Sequence, residues 1–282
     1  MVLATKPLRV AIYLCHEIKQ IEKMELKGST ILITGGTSGI GLEFVKQLTK
    51  KEVKNIIITG RDPEKLDKAK KQFPNIYTFQ SDVSKPKEIE KLYIEVTQQF
   101  PELNIIINNA GIMRNLDLQD TSMDLENITR EIAINLSGPI RMVHQFLPHL
   151  KTKKSAAIVN VSSGLAFVPF PISPIYSATK AGIHSYTQVL RLQLKNSNIK
   201  VFELAPPSTE TPLGDAFEGL IDPKQNMKVD KMVQIAIEGL LKNNFEIKPG
   251  LARVLKFMSR VAPNFILNVM DKSIEKAKAK QV

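Results

Sequence analysis

Thr30-Ile31-Leu32-Ile33-Thr34-Gly35-Gly36-Thr37-Ser38-Gly39-Ile40-Gly41 sets a β-branched apolar run directly before a glycine-rich turn, and Leu42 to Lys50 continues with helical periodicity. A strand, a glycine turn and a helix in that order make a place for a dinucleotide's pyrophosphate. Gly permits positive φ and close backbone approach, while the helix N-terminus offers free N–H groups and the positive end of its dipole. GK[ST] is missing from the end of the run, which excludes a P-loop and with it NTP hydrolysis. The next β-branched run ends in Thr59-Gly60-Arg61-Asp62. At that position NAD sites carry a carboxylate for the ribose 2′-hydroxyl and NADP sites a guanidinium for the 2′-phosphate. Gly60 and Arg61 favour NADP over NAD, and Asp62 reads as the N-cap of a helix that begins at Pro63.

The same alternation continues along the chain. β-branched runs at 30–34, 55–59, 76–80, 104–108, 156–162, 199–204 and 244–248 are separated by longer stretches of helical period, the signature of βαβ units and a parallel sheet. Ile56–Ile58 and Ile105–Ile107 are continuous, as strands covered on both faces are. The expectation is an α/β fold: a single doubly wound, Rossmann-type domain over 27–250, with a mostly parallel seven-stranded sheet and helices on both faces. It is flanked by an extension over 1–26, in which Leu8, Ile12 and Cys15 fall near helical spacing, and by a basic helical segment over 251–282. Glu17, Glu22 and Glu25 oppose anionic lipid, so the first extension reads as packing on the domain or on a partner subunit. Met24 offers an alternative start. In the last segment Leu251, Leu255, Met258, Ala262, Phe265, Val269 and Met270 lie near helical spacing on either side of Pro263, giving a two-part helical cover.

Composition narrows the class. The 282 residues are 43% hydrophobic and 24% charged, with Gly and Pro not enriched, which excludes a disordered or collagen-like chain. A single cysteine, Cys15, excludes an internal disulfide framework, and four histidines without HExxH spacing give no metal site, so a reducing cytoplasm fits. No run approaches the ~18 apolar residues of a spanning helix. Lys and Arg number 39 and Asp and Glu 28, leaving +11, which suits nucleic acid, an acidic membrane surface or phosphorylated ligands. Nucleic acid ranks last, because there is no aromatic platform or recognition motif. Residues 251–282 carry seven basic and two acidic side chains, so 7 − 2 = +5 lies there. This reads as a solvated helical face, with peripheral attachment to an anionic membrane as the alternative.

Tyr176-Ser177-Ala178-Thr179-Lys180 follows a proline-rich loop, and residues four apart share a helical face, so the phenol and the amine can address one site. An ammonium within ~4–6 Å brings a phenol towards the working range of acid–base chemistry. Ser163 ends the run IVNVS, on the sheet edge where open α/β folds place ligands, and Asn108-Asn109-Ala110-Gly111 ends the fourth strand on the same edge. TGGTSGIG, Asp82-Val83, NNAG, Asn135, Ser163 and YSATK, in this order and at these separations, resemble the short-chain dehydrogenase/reductase family with its TGxxxGxG and YxxxK signatures, over about residues 27–250. The run ELAPPS and the later FEIKPGLARVLKFMSRVAP are similar to a bacterial branch whose members occur with teichoic-acid D-alanylation genes.

The resemblance implies roles position by position. Tyr176 would protonate the carbonyl oxygen in reduction and act as the base in reverse. Lys180 would lower its pKa and bond the nicotinamide ribose, Ser163 would orient the carbonyl, and Asn135, in the fifth helix, would hold a water linking Lys180 to solvent. Gly35, Thr37, Ser38, Gly39, Ile40 and Gly41 would cradle the phosphates and Asp82 and Val83 flank the adenine. Asn109, Gly111, Pro206, Thr209 and Thr211 would border the cofactor, with Arg61 at the 2′-phosphate and no metal. The bland alternatives are a satisfied helix-interior amide for Asn135 and a strand-end cap for Ser163. One departure stands out: Pro206-Pro207-Ser208 replaces the family's usual Pro-Gly, removing a backbone donor and fixing φ. Phe167, Val168, Phe170, Ile172, Leu213, Phe217 and Leu220 make 164–175 and 212–228 apolar, and no arginine in either clamps a carboxylate. The sequence therefore predicts an NADP-dependent oxidoreductase acting on an apolar carbonyl or alcohol, built as a homodimer or homotetramer on the helices around 122–150 and 174–195. The competing prediction is a catalytically idle NADP-binding scaffold or regulator.

Overall fold

The computed structural model describes residues 23–222, 224 and 226–279; most of the predicted 1–26 extension lies outside them. All seven predicted strands form: β1 (Thr30–Thr34), β2 (Asn55–Gly60), β3 (Ile76–Gln80), β4 (Leu103–Asn108), β5 (Ala156–Val161), β6 (Ile199–Leu204) and β7 (Glu246–Ile247). They pair in the order β3-β2-β1-β4-β5-β6-β7, and every pairing is parallel. The chain order reverses between β1 and β4, which makes that crevice the switch point where doubly wound folds bind ligands. β7 is shorter than the predicted 244–248: only Glu246 and Ile247 pair, opposite Glu203 and Leu204. Asn243, at φ 53, turns the chain just before it and Pro249 can donate no ladder bond just after.

Alternate residues of each strand feed two cores, one on either face. Ile31, Ile33, Ile56, Ile58, Ile105 and Ile107 pack with Phe44, Val45 and Leu48 of α1 (Gly39–Leu48) and with Met232, Val233 and Ala236 from a later helix, Val229–Leu241. Leu32, Ile57 and Ile106 face the other way, onto Ile89, Leu92 and Val96 of α3 (Pro86–Gln99), Phe146 of α4 (Gly138–Lys151) and Leu190 of α5 (Pro174–Gln193). The continuous isoleucine runs thus reflect burial from both sides. The helix Val229–Leu241 is α6, and α7 (Leu251–Val261) and α8 (Pro263–Lys278) follow it, separated at Pro263.

α2 (Pro63–Gln72) starts as its sequence directs. Asp62 Oδ1 accepts from the backbone N–H of Glu64 and Lys65 at 3.0 and 3.2 Å, and Pro63 occupies the first helical position. Asp62→Ala should therefore lower stability by about 0.5–2 kcal/mol in denaturant titration. An unchanged midpoint would show the cap to be dispensable.

Candidate functional site

The turn after β1 is held from the far side of the crevice. Asn109, just past β4, donates from Nδ2 to the carbonyls of Thr34 and Gly35, both at 3.0 Å, and the backbone N–H groups of Asn109 and Ala110 donate to Thr34 Oγ1. This drives the turn so tight that side chains do not fit. Gly35 has φ +66, and a Cβ there would stand 2.9 Å from Ala110 Cα; a Cβ on Gly41 would stand 2.2 Å from the Gly35 carbonyl oxygen. Ser38, the N-cap of α1, makes no capping hydrogen bond with its side chain. The first-turn N–H groups of α1 therefore face the cleft without a side-chain partner, which suits a pyrophosphate.

One cleft of about 820 Å³ joins this turn to the rest of the candidate site. It is lined by Arg61, Asp82 and Val83, by Asn109, Gly111, Pro206, Thr209 and Thr211, and by Ser163, Tyr176 and Lys180. Of the catalytic and cofactor residues singled out from the sequence, only Gly41 and Asn135 do not line it; of the apolar residues expected around the substrate, Phe167, Val168 and Ile172 do not line it either. Gly41 acts from behind, through its contact with Gly35. Asn135 is buried in a π-helical turn, Ala133–Ser137, that leads into α4 rather than in a regular helix. Its Oδ1 accepts from Ile112 N at 2.9 Å and its Nδ2 donates to Ile112 O at 2.8 Å and Thr179 Oγ1 at 3.3 Å. Both ends of the amide are thus engaged by the protein, as a clasp between α5 and the segment after β4.

Tyr176 and Lys180 sit one turn apart on α5, both buried, with Lys180 Nζ 5.4 Å from the Tyr176 ring centroid. Lys180 also donates to Val161 O at 2.9 Å. Burial pushes the Tyr176 phenol up to about 12; a hydrogen bond with Ser163 pulls it down and the Glu131 carboxylate adds to the rise. Burial pushes Lys180 down to about 8. At neutral pH the phenol therefore holds its proton and the amine stays mostly charged. Ser163 Oγ also accepts from Leu165 N at 3.1 Å, so it caps the short helical turn Gly164–Ala166 while facing Tyr176. The capping reading of Ser163 is thus observed, on a residue that also lines the cleft.

The loop that carries Pro206-Pro207-Ser208 is anchored at several points. Pro206 O accepts from Gly164 N at 2.7 Å, Thr209 pairs with Met227, and the Thr211 side chain lies 3.3 Å from where a Gly39 Cβ would be. Part of the cleft is apolar: Phe170, Phe217 and Ile274 line it and pack with the buried Ile172, with Met113 and Met270 against them. Phe167 is not among them; it meets the His184 ring edge-on at 5.0 Å.

Two features escaped the sequence reading. The first is α8 as a wall of the cleft. Ile266, Met270, Ile274 and Ala277 form its inward stripe, whereas Phe265 and Val269, which the periodicity singled out, are exposed. The second is a buried cluster around Glu131 and Arg114. Glu131 accepts from the Arg114 backbone at 3.0 Å and lies 3.5 Å from its guanidinium, stiffening the same segment that Asn135 clasps. A helical count over 263–277 gives two rival stripes, and only packing chooses between them. His184, Glu203 and Glu246 also converge within 4.8 Å. Burial pushes Glu246 up, but hydrogen bonds from Lys248 and Lys256 outweigh it and hold Glu246 at about 2, so the chain's own ammonium groups match its charge.

Residues 29–218 match the family model for short chain dehydrogenase. The chain belongs to this family. Among relatives of this short-chain dehydrogenase, the uncharacterized oxidoreductase DltE of Bacillus subtilis (strain 168) is 40% identical over 228 residues, 79% of this chain and 89% of that one. A short chain dehydrogenase from Burkholderia cenocepacia J2315, solved with NADP, superposes with a TM-score of 0.76 at 21% identity, covering 88% of this chain and 99% of that one. The 3-ketoacyl-(acyl-carrier-protein) reductase from Brucella melitensis, solved with NADH, gives 0.69 at 27% identity over 77% and 92%. The family match stops before α7 and α8, so the helix that closes the apolar end of the cleft lies outside the matched region.

Proposed function

We propose that this oxidoreductase transfers hydride between NADP(H) and an apolar carbonyl or alcohol, with Tyr176 as the proton donor and acceptor. The observation that carries the reading is the convergence of Ser163, Tyr176 and Lys180 on a cleft that also holds the glycine turn and an apolar wall. Bound nicotinamide would supply the hydride. The chain's residues would do the rest: Ser163 holds the carbonyl oxygen towards the phenol, Tyr176 exchanges the proton, and the charged Lys180 stabilises developing phenolate. Asn135, by clasping Ile112 and Thr179, fixes the wall beside Lys180. The apolar end, closed by Phe170, Phe217 and Ile274, favours a hydrophobic substrate. Turnover of a carbonyl and alcohol panel, followed by reduced-nicotinamide absorbance, tests this; no turnover with either cofactor would favour the idle NADP-binding scaffold.

NADP preference rests on Arg61, which lines the cleft at the end of β2 while Asp62 is occupied as a cap. Arg61→Ala should raise KM for NADPH about tenfold or more and leave that for NADH nearly unchanged. Equal effects on both cofactors would remove the assignment. A cytoplasmic homodimer or homotetramer completes the reading; exposed Val189 and Leu192 on α5 supply apolar surface for such an interface.

A further inference from the structure

α7 and α8 have two apolar sides, and only one is covered. On the inner side of α7, Ala252 and Leu255 lie at about 3.5 and 3.2 Å from a Cβ placed on Gly164, and on α8 Ile274 is buried against Phe170, Ile172 and Phe217. On the outer side Val254, Phe257 and Val261 recur at helical spacing along α7, and Phe265 and Val269 along α8, all exposed. Phe257, Val261 and Phe265 are 63%, 63% and 61% exposed, too much for side chains that merely border a core. Arg253 and Arg260 flank this stripe on α7, and Lys272 shares the outer face of α8 with Phe265 and Val269, while Lys276, one turn further on, sits at the rim of the cleft. Among the described residues none of these four forms an ion pair, whereas Lys256, on the inner side, is engaged by Glu246. No helix among the described residues is long and apolar enough to cross a membrane.

We propose that α7 and α8 seat the enzyme on an anionic lipid surface, the aromatic and β-branched side chains entering the acyl boundary and the four basic side chains meeting the headgroups. Charge selects this occupant over a second copy of the chain. Asp271 and Glu275 are the only acidic residues in the two helices, so an isologous pairing of this face would set basic surface against basic surface. The same helix pair lines the apolar end of the cleft with Leu251, Leu255, Met270 and Ile274. A substrate dissolved in the bilayer would therefore meet the cleft without crossing water. That last point rests on the proposed carbonyl or alcohol chemistry; the seating itself does not.

The test is co-sedimentation of the full chain with vesicles of phosphatidylcholine alone and of phosphatidylcholine mixed with phosphatidylglycerol. Binding is expected only to the mixed vesicles, weakening as salt is raised, since each basic residue near an anionic surface strengthens partition about fivefold. Phe257→Glu with Phe265→Glu, and separately Arg253→Glu with Arg260→Glu, should each cut the bound fraction tenfold or more while far-ultraviolet circular dichroism and NADPH binding stay at parental values. Absence of binding to the mixed vesicles overturns the proposal. So does a parental chain that stays in solution as an oligomer which the Phe257 and Phe265 substitutions dissociate, for that would make the face a contact between copies. Failure of every carbonyl in a soluble assay would instead remove the oxidoreductase chemistry and leave the vesicle result standing.

Discussion

Tyr176→Phe should lower kcat/KM for carbonyl reduction by about 10²–10⁴-fold, the usual contribution of a positioned proton donor, with NADPH affinity changed far less. The expectation follows from the proton inventory of the site. Burial keeps the phenol near 12, so at neutral pH it is protonated in essentially every molecule and ready to donate. Phe keeps the ring, its packing and its place over Lys180, and removes only the oxygen that Ser163 bonds. Stability should therefore change little, and the loss should appear in turnover. Residual activity within about threefold of the parent on every accepted carbonyl would move the proton transfer to another group and sink the assignment.

Gly41→Ala should damage both stability and cofactor binding. The new methyl would stand 2.2 Å from the Gly35 carbonyl oxygen and 2.7 Å from Asn109 Nδ2, and the first of these is backbone that cannot swing aside. Overpacking of this kind costs about 1–3 kcal/mol or more. Relief comes only by opening the turn, which loosens the Asn109 bonds to Thr34 and Gly35. NADPH affinity should fall about tenfold or more, together with the melting temperature. Gly214→Ala is the control for melting temperature, because a Cβ there meets nothing within 4 Å. If Gly41→Ala melts and binds like the parent, turn geometry is not what shapes the phosphate cradle.

The parts of this molecule legible in its sequence are those where local chemistry and tertiary demand coincide. Ile56–Ile58 and Ile105–Ile107 announce two-faced strands because both faces are in fact covered. Asp62-Pro63 announces a helix start because capping is a contact between near neighbours. Lys180 and Tyr176 share a face by helical geometry alone. Other features depend on partners far along the chain. The choice of inward stripe on α8 rests on Phe170 and Phe217, about a hundred and about sixty residues before Ile274. Asn135 reads as a helix residue, yet it sits in a π-turn whose side chain reaches Ile112 and Thr179. β7 shrinks to two residues because the chain enters it from a left-handed turn at Asn243 and leaves it before a proline. The high phenol pKa could not be foreseen either: spacing places an amine beside Tyr176, but burial of the whole pair sets the balance.

That Ile274 completes the pocket separates two inheritances within one chain. The glycine turn, the strand ends that border the cleft and α5 lie within 29–218, the stretch that matches the family. The wall that decides what fits beside them is borne by a helix beginning at Pro263, after that shared region has ended. On the proposed chemistry, substitutions in the last thirty or so residues should therefore retune substrate choice while the proposed acid–base site stays untouched. Among relatives, a common motif set need not signal a common substrate, and the tail is the place to look for the difference.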